Sequence, residues 1–280
     1  MKKISRRSFL AASGLTIAAL ALTACGGSAS TASSAASSVA ASSEAASTSA
    51  VAAELTTVEA GKLTMATNAA FPPYEMTTDA GAFEGIDIDT AQAIADKLGL
   101  ELQIDDMDFD AALLSVQQGK ADIAMAGVTV TDERKNVMDF SDSYATGIQS
   151  IIVPEGSDIA SPDDLAGKMI GTQRGTTGYI YCSDDFGDDA VVAYDDGLTA
   201  VQALNNGQVD AVVIDNAPAK EFVAANPGLV LLDTSYAEED YAIGMAKGNT
   251  ALEDAVNAAL EELKADGTLQ SIVDKYITAE

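Results

Sequence analysis

The sequence predicts an α/β fold of two lobes, each a mostly parallel sheet flanked by helices, with two hinge strands between them. Three observations predict it. Apolar strand-like runs alternate with helical patterns over residues 63–126. The same alternation restarts at residue 169 and continues to 232. Residues 148–153 and 241–246 read as strands with no crossover helix beside them, so they serve as an outgoing and a returning link.

In the first lobe, residues 63–66 read as a strand and 88–98 as a helix, capped near Asp87 or Asp89 and stopped by Gly99. A strand at 100–104 follows, then a helix at 109–117 with Asp108 as cap and Gly119 as stop, then a strand at 122–126. In the second lobe, strands at 169–172, 191–194, 209–214 and 229–232 alternate with helices starting at 176, at 198–206 and at 217–225. Helices at 251–265 and 269–276 close the chain, separated by Asp266-Gly267. The expected division is 55–148 plus 246–280 for lobe 1 and 149–245, with the hinge strands, for lobe 2.

The first 24 residues read as an export leader, not as part of the fold. Lys2, Lys3, Arg6 and Arg7 precede an apolar run that is too short to cross a bilayer. Ser5-Arg6-Arg7-Ser8-Phe9-Leu10 resembles a twin-arginine signal, and Leu22-Thr23-Ala24-Cys25 resembles a bacterial lipobox, which implies cleavage before Cys25 and lipidation of its sulfur. Residues 26–53 are nearly all Ser, Ala and Thr and read as a flexible tether. The expected location is therefore the extracytoplasmic face of a bacterial cell membrane.

The formal charge is −28, which argues against a nucleic-acid partner. The chain has no His, which excludes His-based catalytic triads and His-ligated metal sites; no metal or cofactor is expected. Past Cys25 the only cysteine is Cys182, so no internal disulfide is possible in the fold, and Cys182 reads as a packed thiol.

Ligands in open α/β sheets bind at the carboxyl ends of strands. Four such ends carry chemistry. Ala126-Gly127-Val128-Thr129-Val130-Thr131-Asp132-Glu133-Arg134 follows an apolar strand. Thr131 reads as a helix N-cap, and Arg134 stands where a capping box would put Glu or Gln. A cation there opposes the helix dipole, which points to a bound anion. The alternative is a surface Arg paired with Asp132 or Asp139. Residues 66–74 offer Asn68 and Phe71 on a Pro-stiffened loop, and Gln173-Arg174-Gly175-Thr176-Thr177-Gly178 leads into a helix as an anion cradle or a plain cap turn. Asp215 ends an apolar strand, where it either faces a ligand or caps the next helix. Phe71 and Phe109 are cleft walls or ordinary core aromatics.

These blocks, with Gly85-Ile86-Asp87-Ile88-Asp89, Asp106-Met107-Asp108-Phe109-Asp110, Asp139-Phe140-Ser141 and residues 210–215, resemble the polar amino-acid solute-binding proteins of ABC importers over about residues 60–278. The resemblance implies the two-lobed type II periplasmic-binding fold and an interlobe site for a free amino acid. It implies that Arg134, Thr129 and Thr177 hold the carboxylate, with Thr176 beside them, and that Asp215 and the carbonyls near Ala126 and Gly127 hold the ammonium. Phe71 and Phe109 would flank the ligand side chain, while Asn68 and Gln173 face its tip. Relatives that bind cationic side chains commonly carry an acid where this chain has Asn68, so an uncharged polar side chain is expected. The implied protein is a monomer that delivers its ligand to ABC permease subunits and is not an enzyme. Two rivals stay open: a cyclohexadienyl dehydratase on the same scaffold, and a sensor that reports to a receptor.

Overall fold

The computed structural model describes residues 55–277. The residues that the sequence reads as leader and tether, including Cys25, lie outside the described residues. The described chain opens with β1 (Lys62–Thr67), a small sheet of β2 (Ala70–Phe71), β3 (Glu75–Thr77) and β4 (Phe83–Glu84), and α1 (Ile86–Leu98). Next come β5 (Glu101–Asp106), α2 (Phe109–Gln117), β6 (Ile123–Ala124), α3 (Asp132–Lys135) and β7 (Met138–Phe140). The long β8 (Ala145–Pro154) leads to β9 (Ile170–Gln173), α4 (Thr177–Phe186), β10 (Val191–Tyr194), α5 (Gly197–Asn205), β11 (Ala211–Asp215), α6 (Asn216–Ala225) and β12 (Leu229–Leu231). The return passes through β13 (Ala237–Tyr241) and β14 (Gly244–Ala246) to α7 (Thr250–Ala265) and α8 (Thr268–Tyr276).

The first lobe's sheet has the order β5-β1-β6-β14-β7. It is parallel over β5, β1 and β6, as the alternation predicts, and antiparallel where β14 and β7 join. β1 is buried on both faces. Leu63 and Met65 join one core with Ile94 of α1 and Val256 and Leu260 of α7, while Ala66 joins a second with Ala112 and Val116 of α2. Full burial of each Leu, Ile or Val contributes about 1.5–3 kcal/mol. The second sheet runs β10-β9-β11-β8-β12 and packs under α5 and α6 through Val201, Leu204 and Phe222. Cys182 is fully buried on α4, and burial pushes its thiol up to about 12, which fits a packed thiol.

Three local expectations need correction. The strand expected at 122–126 keeps ladder geometry only at Ile123–Ala124. Asp122 instead turns its carboxylate to the N–H groups of Val58 and Thr64, both at 2.7 Å, and the chain peels off toward Gly127. Asp87 does not cap α1, whose N-cap is Gly85 without a side-chain bond. It is fully buried and accepts from the Gly127 N–H (3.0 Å) and the Tyr144 hydroxyl (2.8 Å), while Asp89 pairs with Lys275. The returning hinge strand is β13, antiparallel to β8 from Ala237↔Gln149 to Tyr241↔Ala145. Gly244 and Met245, expected in the second lobe, already pair with β6 and β7 of the first sheet. The run 241–246 reads as one strand because its apolar residues serve two different sheets in succession.

Asp87 and Glu75 are both fully buried at the base of the Gly127 loop. Burial raises Asp87 from its ordinary range to about 6, and burial followed by the Asp87 charge raises Glu75 well above its own. The folded state therefore holds protons that the unfolded chain releases near pH 4. This stabilisation is complete at acid pH and lost as pH rises through the raised values. The exposed pairs that hold Asp139 and Asp158 low act only below that window. The thermal midpoint of the protein, measured by calorimetry without added ligand, is expected to be higher at pH 5 than at pH 7.5. The reverse order would contradict the buried-acid assignment.

Candidate functional site

The carboxyl ends of β1, β6, β9 and β11 converge on a cleft between the lobes. All of the sequence-predicted positions line it: Asn68, Phe71, Phe109, Ala126, Gly127, Thr129 and Arg134 from the first lobe, and Gln173, Thr176, Thr177 and Asp215 from the second.

Arg134 sits in α3, a single turn capped as expected by the Thr131 hydroxyl, which accepts the Arg134 N–H at 3.1 Å. The surface-pair alternative does not hold. Its side chain is buried, and Asp139 pairs with Lys247 instead. The guanidinium donates to the carbonyls of Thr129 (2.7 Å) and, across the cleft, Gly175 (3.1 Å), and lies 5.4 Å from the Phe109 ring centroid. No carboxylate of the described residues comes within ion-pair distance of it. Burial lowers its pKa, and the charge of the more distant Glu239 partly restores it. Two of five N–H donors are spent on carbonyls, which leaves donors for an anion.

Thr177 is the first residue of α4, and its predecessor Thr176 is the N-cap, whose hydroxyl accepts from Tyr179 and donates to the Gln173 carbonyl at 2.8 Å. The turn is therefore a cap, as one sequence reading has it, and Thr176 and Thr177 line the cleft. Asp215 caps the next helix and also lines the cleft. Its Oδ1 caps α6 through the Ala217 N–H (3.1 Å), and its Oδ2 accepts from the Ile148 N–H (2.7 Å). Burial raises its pKa to about 6, against the lowering effect of these bonds and the Tyr241 hydroxyl. No Lys or Arg of the described residues pairs with it. At the far end, Gln173 donates across the lobes to the Asn68 carbonyl oxygen (2.8 Å), and Asn68 donates to Met107 O (3.0 Å). Phe71 stacks on Tyr74 with centroids 5.9 Å apart, so it serves as wall and packing partner at once.

Sequence reasoning missed the contribution of the hinge. Gln149 and Tyr241 line the cleft from β8 and β13, and Glu75, Val213 and Ile214 complete its wall. Residues 237–241 alternate buried and exposed, so Glu239 and Tyr241 face inward together. The sequence itself does not alternate here, since Glu238, Glu239 and Asp240 are three acids in a row; the alternation lies in the burial alone. Two glycines admit these side chains. A Cβ on Gly147 would stand 2.6 Å from the Tyr241 ring and 2.8 Å from Asp215 Oδ2, and one on Gly127 2.9 Å from Phe71.

Two lobes, two crossing strands and a polar cleft at the strand ends define a type II periplasmic binding architecture. The chain belongs to the bacterial extracellular solute-binding proteins, family 3, whose family model matches residues 63–279. It is 32% identical over 226 residues to the L-cystine-binding protein TcyJ of Escherichia coli, covering 79% of this chain and 85% of that one. A probable histidine-binding protein of Neisseria gonorrhoeae is 34% identical over 225 residues, with 77% and 83% covered. Among solved structures, an ancestral arginine-binding protein bound to arginine superposes with a TM-score of 0.74 at 42% identity, covering 78% of this chain and 98% of the other.

Proposed function

We propose that this protein binds a free amino acid with an uncharged polar side chain in the interlobe cleft and delivers it to the membrane subunits of an ABC permease. It works as a monomer on the extracytoplasmic face of the bacterial membrane, anchored through a lipid on Cys25. The observation that carries this reading is a pair of opposite charges, Arg134 and Asp215, buried on opposite lobes of one cleft, each without an ion-pair partner of its own. A buried charge is costly unless paired. One small zwitterion pairs both.

Arg134 and the N–H groups of Thr129 and Thr177 take the carboxylate. Asp215 and the carbonyls of Ala126 and Gly127 take the ammonium. Phe71 and Phe109 clasp the side chain, Thr176 shapes the turn beside it, and the neutral amides of Asn68 and Gln173 read its tip. We read the protein as a binder and not as a dehydratase: of the two cleft-lining acids with raised pKa, Asp215 is taken by the ammonium, which keeps it ionised, and Glu75 is fully buried beside Asp87. Relatives named for arginine, cystine and glutamine set the first probes.

Three expected outcomes test this. Arg134→Ala should weaken binding of whichever of L-glutamine, L-cystine or L-arginine binds by about 2–5 kcal/mol in calorimetry, as for truncating one partner of a buried charge pair; an unchanged affinity would rule out the assigned cleft. Affinity should also depend on pH in one direction. The ammonium needs ionised Asp215, so Kd should rise roughly tenfold per pH unit as pH falls below about 6. A flat profile from pH 7 to 4.5 would separate Asp215 from the ammonium. Finally, Cys25→Ser should release the protein from membranes in cell fractionation while leaving Kd unchanged.

A further inference from the structure

Glu239 is absent from the residues that the sequence or the cleft assigns to a ligand, yet it stands where both lobes and both hinge strands meet. It lies on the returning strand β13 and is only 6% exposed. Its Oε2 accepts three hydrogen bonds. Thr129 Oγ1 of the first lobe donates at 3.1 Å, Thr177 Oγ1 of the second lobe at 2.9 Å, and Gln149 Nε2 of the outgoing strand β8 at 3.0 Å. Its Oε1 is buried without a partner. The two hydroxyls assigned to the ligand carboxylate are therefore already donated to a protein carboxylate. What the two threonines keep for a ligand is their backbone N–H.

We infer that Glu239 is a closure latch: a hinge-strand carboxylate that holds a hydroxyl from each lobe, and so stabilises the closed cleft independently of what the cleft contains. The three bonds converge on one oxygen, so a single carboxylate is held by both lobes and by the outgoing strand at once. Opening the hinge carries Thr129 and Thr177 apart, and a carboxylate fixed on β13 can follow only one of them. The latch thus favours the closed form over the open one, which is what a conformational equilibrium requires of any group that shifts it. A ligand's apparent affinity falls in proportion to the closed fraction available to it. Glu239 is a positioning residue. It raises affinity for every ligand alike and leaves the choice among them to Asn68, Gln173 and the aromatic walls. This role rests on the binding function proposed above.

The test compares Glu239→Ala and Glu239→Gln with the unsubstituted full-length protein. Hydrogen exchange without added ligand reads the latch directly. Segments 127–134 and 173–178 should exchange faster in the Ala variant, while β1 stays as protected as before. The Gln variant should recover part of that protection, because its Oε1 still accepts from both threonines. Titration and stopped-flow with L-glutamine, L-cystine and L-arginine should show the Ala variant at least tenfold weaker for each probe that binds. The loss should lie in faster release, with association within threefold. Unchanged cleft exchange overturns the latch, as does faster exchange spread evenly into β1 or a loss of affinity confined to one probe. Should none of the three probes bind the unsubstituted protein, the proposed function fails, and the exchange comparison still decides the latch.

Discussion

The structure turns on two buried charges kept apart. Arg134 and Asp215 each lie in the protein interior, and each is tied by backbone groups instead of by an opposite charge. Hydrogen bonds from main-chain dipoles offset part of the desolvation cost, but a dipole does not neutralise a charge. The rest of the cost is borne by the fold. Two cores grip the segments that carry these residues: β1, α2 and β7 on one side, through Ala66, Ala112, Val128 and Met138, and β8, β11 and α6 on the other. A site of this kind is held in place by packing elsewhere, so its charges can wait for a partner without collapsing onto one another.

The hinge takes part in the cleft and does more than join the lobes. β8 and β13 pair over five positions, and their inward residues, Gln149, Glu239 and Tyr241, reach the space between the lobes. Tyr241 also rings the first lobe's core, edge-on to Tyr74 at 5.3 Å. Gly147 is required where the Tyr241 ring and Asp215 both approach the backbone of β8. Movement of one strand past the other therefore changes the surroundings of the charged groups. Coupling between closure and charge pairing needs no longer path than this, because the element that bends is also an element of the wall.

Much of this was legible in the residues, for reasons that can be named. β10 was readable at both ends, and α2 was too, because turn residues and apolar periodicity agree there. The cleft positions were readable because strand ends in such sheets carry polar residues of unusual type, and Arg134 broke a local rule that Glu or Gln would have satisfied. The hairpin sheet of β2, β3 and β4 escaped, since strands of two or three residues leave no period to detect. β7 escaped because its partner β14 lies far along the chain, and for the same reason β14 is legible as strand but not as part of the first sheet. Asp87 misled for a physical reason: an acid in a first helical turn fits a dipole partner, and nothing local tells that its oxygens reach Gly127 and Tyr144 instead. Glu239 sat beside Glu238 and Asp240 in an acidic run whose one inward member was distinguishable only by strand period.

The same charges bear on which side chain the cleft accepts. The chain is strongly acidic, yet acidity at the surface is screened by water and salt and says little about a buried tip. Three acids lie in or against the cleft. Asp215 is tied to the Ala217 and Ile148 N–H groups, and Glu239 to two threonine hydroxyls near Arg134. Glu75 reaches the wall, where burial and the neighbouring Asp87 charge raise its pKa and so disfavour its charged form. The tip itself is an amide facing an amide, Gln173 donating to Asn68. An amide pair can open to exchange hydrogen bonds with another amide or hydroxyl at little net change, whereas a guanidinium or ammonium placed there would leave its solvation without gaining an opposite charge. The relatives named for arginine share the frame, so under the proposed reading the choice of side chain rests on the few neutral atoms at the end of it.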